Sequence, residues 1–466
     1  MAHTHTPHGF WLEEAGSPSP RPALAGEARA DVVVVGGGFT GLWAAWWVLD
    51  QDPDARVVLL EATRCGYGPS GRNGGFVNAM SFSLPAMEAR FGAAEALEVA
   101  RAARRSVQGV GRWCDEQDVD AWYRRGGYLQ VSTAPAHDGS WEGIADAWRR
   151  HGEPEACVPL SASEVRARCD SPRFRGAAFY PDAATVQPAR LALGLGARLV
   201  ERGAAIHEHS RVLRLDASRD GVRADTDRGR VRARTAVLAL GAAASGVPPL
   251  RRRLTVTSSH IVITEPVRDV LEDIGWTGGE CITDSRAMLH YFRTTPAGRI
   301  AFGWGGGRVV PGSRIGRRAE IDADVVAELE RHLLEFFPGL AGRRIEHAWG
   351  GPIDVSPTHL PIAGTLGSDR VHYALGYTGN GVGPSHMVGR VLAGLALDRR
   401  DRWTRLAIVE PPPVSVPPEP LRYAGGAIVR RALLRKERLE EQGRSADLLT
   451  RAIARLPERL GIHIGR

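Results

Sequence analysis

Three glycines at fixed spacing point to the most specific chemistry in this chain. Gly36-Gly-Gly-Phe-Thr-Gly41 fits the pattern Gly-x-Gly-x-x-Gly, which suits the phosphates of a dinucleotide. Gly36 permits a tight turn, Gly38 lets the backbone approach a pyrophosphate, and Gly41 lets a helix pack close to the preceding strand. Phe39 and Thr40 open that helix, whose unpaired N–H groups and positive dipole end attract phosphate. Among 55 glycines in 466 residues the hexamer alone means little; its surroundings give it weight. Asp31-Val-Val-Val-Val-Gly36 reads as a buried parallel strand, residues 42–49 as a helix without a breaker, and residues 56–61 as a second strand. That strand ends in Glu61, followed by Ala62, where a carboxylate can accept from ribose hydroxyls. The unit is strand–helix–strand within about 30 residues.

A second glycine-rich loop follows, Ser70-Gly-Arg-Asn-Gly-Gly75. NAD does not require it; it suits a longer cofactor whose flavin end lies far from the first loop. With it, the chain resembles the FAD-dependent oxidoreductases of the D-amino-acid oxidase type, a broad family that includes glycine oxidase, sarcosine oxidase and gamma-glutamylputrescine oxidase. The resemblance also rests on Trp349-Gly-Gly-Pro352, on Leu360-Pro-Ile-Ala-Gly364 and on Gly376-Tyr-Thr-Gly-Asn-Gly-Val-Gly383. The Ser70–Gly75 loop, Thr264-Glu-Pro266 and Tyr291-Phe-Arg293 leading into Phe302-Gly303 are most like the gamma-glutamylputrescine oxidase branch.

The resemblance implies bound FAD. Arg72, Asn73, Gly74 and Gly75 would line the flavin, Val212 would meet the adenine end, and Gly241 would close the pyrophosphate region. Gly351, Gly379, Asn380, Gly381 and Val382 would approach the isoalloxazine ring. It further implies oxidation of a C–N bond by hydride transfer to flavin N5, with the imine then hydrolysed. Candidate catalytic residues are Tyr291, Arg293 and Asn73. Arg293 can hold a substrate carboxylate or phosphonate, or pair internally with an acid. His290 alternates with Tyr291, so one of the two faces the site. Trp304, Trp349 and Tyr377 either wall the pocket or are plain core. His359 and His386 read as structural histidines.

Two departures from the family pattern matter. Relatives that attach FAD covalently use a histidine in the second loop or a cysteine near the C-terminal motif. Here that loop offers Arg72 and no cysteine follows Cys281, so the expectation is noncovalent FAD. The only lysine is Lys436, far from the motifs. Either another cation assists reaction with O2, or the enzyme is a dehydrogenase passing electrons to a quinone or other acceptor at a membrane surface. A non-catalytic flavoprotein or assembly role is the third reading.

The order of elements, with the resemblance, predicts an α/β (α+β) chain in which a Rossmann-like FAD-binding domain (residues 30–90, 180–245 and 340–400) is interleaved with an antiparallel-sheet substrate domain (91–179 and 246–339). Single helices are predicted over 86–116 and 319–337, and one strand over 229–240. Residues 411–466 read as a Pro-rich linker and basic helical tail. The net charge of +7 is concentrated there: residues 421–466 hold eleven basic and five acidic side chains. The body lacks a basic stripe interleaved with aromatics, which argues against nucleic acid, while the 424–456 segment could touch a membrane or pack on its own domain. Five scattered cysteines, no apolar leader and no membrane-length apolar stretch predict a cytoplasmic protein. His3, His5 and His8 could chelate a metal, but a flexible tail is the plainer reading.

Overall fold

Four consecutive β-branched residues, Val32–Val35, are buried on both faces, as only a central parallel strand allows. In the computed structural model, which describes residues 4–5, 9–313, 315–316, 320–459 and 461–463, this strand lies inside a six-stranded sheet. Its neighbours are Val57–Leu60 and Thr235–Leu238, both parallel to it. Ala205–His207 flanks one side, and Ser368–Leu375 followed by antiparallel Ile362–Leu366 completes the other. The registers Val35↔Leu60 and Leu238↔Val35 bring three strand carboxyl ends together, the position at which open α/β sheets bind ligands. Helices Phe39–Gln51 and Val382–Ala396 pack against one another on one face.

The second large sheet has nine strands in the order Thr4–His5, Ile345–Val355, Thr255–Thr264, Ile300–Trp304, His290–Thr294, Cys281–Asp284, Tyr128–Ser132, Gly176–Tyr180 and Val158–Leu160. It is mainly antiparallel; its first pair and the pair Cys281–Asp284 with Tyr128–Ser132 are parallel. A small sheet of Arg214–Ser218, Gly221–Asp225, Gly229–Ala233 and Gly26–Arg29 lies beside the first. The interleaved α/β architecture is the predicted one.

Several boundaries differ from the sequence reading, each for a local reason. The helix expected over 86–116 is two, Leu84–Phe91 and Ala93–Glu116, because Gly92 adopts φ 83°. Residues 229–240 form two strands in different sheets, with the chain stepping from one to the other at Arg234. Ile345–Val355, grouped by its glycine motif with the cofactor segments, pairs instead over ten positions with Thr255–Thr264 in the nine-stranded sheet. Of the helix expected over 319–337, Ala323–Phe336 is observed, and residue 319 lies outside the described residues. In contrast to the flexible tail expected, the described part of the N-terminal segment is ordered into elements: Thr4–His5 pairs with His347 and Ala348, and Phe10–Glu14 is a helix that buries Trp11 fully. His3 and His8 lie outside the described residues.

The basic tail is docked along one face. In helix Leu421–Glu441, Arg422 donates to the carbonyls of Arg251 (2.8 Å) and Leu254 (3.0 Å), and Arg430 to Gly307 (2.7 Å). The Glu437 carboxylate accepts from the Met288 N–H at 3.0 Å, and Glu441 pairs with Arg286. Lys436 is bound to Glu440. Among the described residues no helix is long and apolar enough to cross a membrane. Replacing buried Arg422 by Ala strands two carbonyl acceptors; thermal denaturation should show a loss of about 1–3 kcal/mol, whereas an unchanged Tm would mean that this end of the tail contributes nothing to stability.

Candidate active site

The first glycine loop has the strain and closeness that its residue types imply. Gly36 sits at φ 112°, and a Cβ there would lie 2.3 Å from the Ala239 carbonyl oxygen. A Cβ on Gly41 would lie 1.9 Å from the Gly36 carbonyl oxygen, so the helix approaches the strand only because residue 41 is glycine. Gly38 is the N-cap of helix Phe39–Gln51 and brings no side chain to cap it. The Phe39 N–H donates to Ser70 Oγ at 2.9 Å, and Thr40 Oγ1 donates to the Tyr377 hydroxyl at 2.8 Å. Glu61 accepts from the N–H groups of Gly37 and Thr63, both at 2.8 Å, and from the Thr63 hydroxyl. A carboxylate offers about four lone-pair sites, so it retains room for a further donor. Ala62 beside it is exposed. The Glu61 carbonyl accepts from Ser210 N–H at 2.8 Å, which carries Val212 to the same strand end. Gly241, at φ 50°, opens the turn after Thr235–Leu238 and faces open space.

The second loop is shaped by its own side chains. Asn73 donates to the Pro69 and Ser70 carbonyls and accepts from Gly75 N–H at 2.7 Å. Its amide is thereby committed to loop geometry. Arg72 donates to the Tyr67 carbonyl and faces Glu320 at 3.8 Å. The Arg72 carbonyl accepts from Trp349 Nε1 at 2.8 Å.

Strand His290–Thr294 sets Tyr291 and Arg293 on one face, against this loop. The Tyr291 ring lies 3.1 Å from where a Gly74 Cβ would stand and meets Phe76 edge-on. Its partner across the strands is Gly303, where any Cβ would strike the ring. The Tyr291 hydroxyl bonds Ser259 Oγ at 2.7 Å, and Ser259 donates to the Trp304 carbonyl. Arg293 is buried, and among the described residues it pairs with no acid: it donates to the carbonyls of Val186, Gly75 and Thr294 and stacks over Trp11. Burial pulls its guanidinium down to about 10, still cationic at neutral pH. His290 points the other way, in a buried chain from Asp284 through His290 to His332 with 2.7 Å links.

A third group closes the arrangement. Gly381 is the N-cap of helix Val382–Ala396 and, like Gly38, offers no side-chain cap. Gly379 turns at φ 80°, and Asn380 donates to the Thr378 carbonyl. Val382 is buried, while Gly351 faces open space. The sequence reading missed Asn78 and Asp354. Asn78 reaches Asn380 at 3.4 Å, yet its own Oδ1 is buried without a partner. Asp354 lies inside strand Ile345–Val355 and accepts from Gly376 N–H at 2.6 Å, holding the Gly376 turn. Neither sits in a motif; only nonlocal pairing brings them here. His386 is walled edge-on by Trp43 and Trp47 and burial pushes it down to about 3, in keeping with a structural role. Trp349 packs on Trp11, and Tyr377 is bonded to Thr40.

Two helix N-termini with glycine at the N-cap and glycines facing open space suit a long ligand with a phosphate-bearing middle, and the orphaned Asn78 amide oxygen suits a donor on that ligand, as FAD offers both. The fold and this site define a dinucleotide-binding flavoprotein built from interleaved domains. The comparison with protein families makes this specific: residues 31–395 match the FAD dependent oxidoreductase family, and the chain belongs to it. It is 29% identical over 403 residues to gamma-glutamylputrescine oxidoreductase of Escherichia coli (strain K12), covering 85% of this chain and 91% of that one. It is 28% identical over 429 residues to the probable oxidoreductase OrdL of Rhizobium meliloti (strain 1021), covering 89% and 91%. The crystal structure of glycine oxidase from Geobacillus kaustophilus superposes with a TM-score of 0.66 at 20% identity, over 80% of this chain and 96% of that one.

Asp354 makes the turn sensitive to pH. Burial pushes its carboxyl up to about 6, against the pull of the Gly376 and Tyr377 N–H groups. The folded protein therefore holds an extra proton from about pH 4 to 6. Its stabilising effect is complete below that window and is lost as pH rises through about 6. Asp354→Asn should thus lose less Tm than the parent between about pH 5 and pH 8; parallel Tm profiles would contradict this assignment.

Proposed function

We propose that this FAD-dependent oxidoreductase oxidises the C–N bond of an amine or amino acid, with FAD held noncovalently. The observation that carries the reading is the meeting of Tyr291 and Arg293 with Gly74 and Gly75 of the second loop. Gly36, Gly38, Phe39, Thr40, Gly41, Glu61, Val212 and Gly241 would hold the dinucleotide half. Arg72, Asn73, Gly74, Gly75, Gly351 and residues 379–382 would hold the flavin half. FAD, when bound, supplies the acceptor for a hydride from the carbon beside the amine nitrogen, and returns the electrons to O2 or another acceptor. The positive charge of Arg293 and the burial beside half-buried Phe76 and Tyr291 disfavour an ammonium ion, which keeps the amine nitrogen neutral. Arg293, bonded among the described residues to carbonyls and to no carboxylate, contributes a positive charge, which favours a substrate carrying an acidic group. The Tyr291 hydroxyl, relayed through Ser259, orients the substrate. Noncovalent attachment is supported by Arg72 at the loop position where covalent relatives carry histidine.

The test is anaerobic titration of the yellow protein with amines, amino acids and aminophosphonates. Bleaching by an amine that bears an acidic group is expected; a protein that takes up no FAD, or that none of these bleaches, would falsify the reading. Rapid recovery of colour in air marks an oxidase, and slow recovery a dehydrogenase.

A second reading, electron delivery at a membrane surface, is favoured by the undocked face of the tail. Leu421, Ile428, Leu448 and Leu449 are 58–78% exposed, among exposed Arg431, Arg435, Arg451 and Arg455. Such a face suits anionic lipid. Sedimentation with phosphatidylglycerol vesicles at low salt should then carry the protein down, and protein left in the supernatant would remove this reading.

A further inference from the structure

Away from the flavin-facing glycines, a cleft of about 600 Å³ opens where helices Phe39–Gln51, Ala93–Glu116 and Val382–Ala396 come together. Its floor exists because residue 109 is glycine: a Cβ there would lie 2.6 Å from the His386 ring. Its walls are indoles, from Trp46, Trp47, Trp113 and Trp403, and its charged groups are unbalanced. Arg105, Arg112, Arg202, Arg390 and Arg402 line it against only Asp50 and Glu116.

What sets these arginines apart is the lack of acid partners. Arg101 and Arg104, on the same helix as Arg105, are paired with Glu153 and Asp182. Among the described residues no carboxylate reaches ion-pair distance of any of the five in the cleft. Three of them crowd one ring: the guanidiniums of Arg105, Arg390 and Arg402 stand 5.9, 4.8 and 4.9 Å from the Trp403 centroid. Arg105 and Arg402 are exposed and Arg390 is half-buried; stacking on indole offsets part of the desolvation of Arg390, and the mutual repulsion of the three remains, screened in part by solvent. Burial, and next Arg402, pull the Arg105 guanidinium below its ordinary range; burial dominates for Arg390. Two further donors, Arg390 Nε and Trp113 Nε1, are buried without an acceptor. The cleft is therefore rich in donors and poor in acceptors, with flat stacking surfaces.

We propose that this cleft is a second ligand site, separate from the dinucleotide loop, for a phosphate ester carrying an aromatic ring. The phosphates would lie between Arg105, Arg390 and Arg402, whose planar forks match phosphate oxygens, and the ring would stack on the indole and guanidinium faces. The chemistry selects the class and not one compound, so the probe is ATP. FAD-loaded protein, with the dinucleotide loop already filled, is titrated with ATP while tryptophan fluorescence and calorimetric heat are followed. Saturable quenching with one equivalent bound is expected. Pyrophosphate and adenosine, each offering half of the chemistry, should bind at least about tenfold more weakly. Arg390→Ala/Arg402→Ala should weaken ATP binding by about tenfold or more while FAD content and Tm stay near those of the parent. Absence of a saturable signal at millimolar ATP overturns the proposal. So does undiminished binding in the double variant, or pyrophosphate binding as tight as ATP, which would indicate a site for small anions alone.

Discussion

The guanidinium of Arg293 ties together parts of the chain that are otherwise independent. It belongs to the nine-stranded sheet, yet its donors go to the carbonyls of Gly75 in the second glycine loop and Val186 beside the strand pair Phe76–Asn78 and Ala183–Thr185. Its face rests over Trp11 of the N-terminal helix. A buried cation must be met by acceptors or it is expelled. Here carbonyl dipoles meet it, leaving a net positive charge where a carboxylate partner would have cancelled it. That constraint fixes the distance between the nine-stranded sheet and the loop, and so places Tyr291 against Gly74. It also sets the sign of the potential there.

Much of the proposed cofactor half is built from backbone. The N–H groups at Gly38 and Gly381, the turn at Gly376 and the close approach at Gly41 need small residues and little else. Side chains serve mainly to hold that backbone: Asn73 its own loop, Asp354 the Gly376 turn, Ser70 the first helix turn. This division explains why substitution at such positions should act through geometry and charge together. Asp354 is the clearest case, because its proton and its hydrogen bond to Gly376 share one carboxyl group.

What the sequence made legible follows the same division. Glycines whose absence of a Cβ is required announce themselves by spacing, so Gly36, Gly38 and Gly41 were readable, as was the alternation that turns His290 away from Tyr291. The alternative that Arg293 pairs internally with an acid is overturned: its acceptors are carbonyls, which leave no mark in a list of residue types. Asn78 and Asp354 were illegible because their importance comes from partners about 300 and 22 positions away. The pairing of Ile345–Val355 with Thr255–Thr264 was hidden for the same reason. Local punctuation such as Gly92 shifts boundaries without altering the fold.

The interleaved topology has a consequence for how the chain comes into being. Strand Thr235–Leu238 gains its second neighbour only when Ser368–Leu375 arrives, through the register Ala236↔Val371. During synthesis the half-built six-stranded sheet must therefore carry an open edge at Thr235–Leu238 while more than a hundred residues emerge and extend the nine-stranded sheet. Contacts this distant in sequence slow folding, and exposed edges invite pairing between nascent chains. Chaperone capacity and the rate of translation, as much as the final stability, then govern how much of this protein a cell can accumulate.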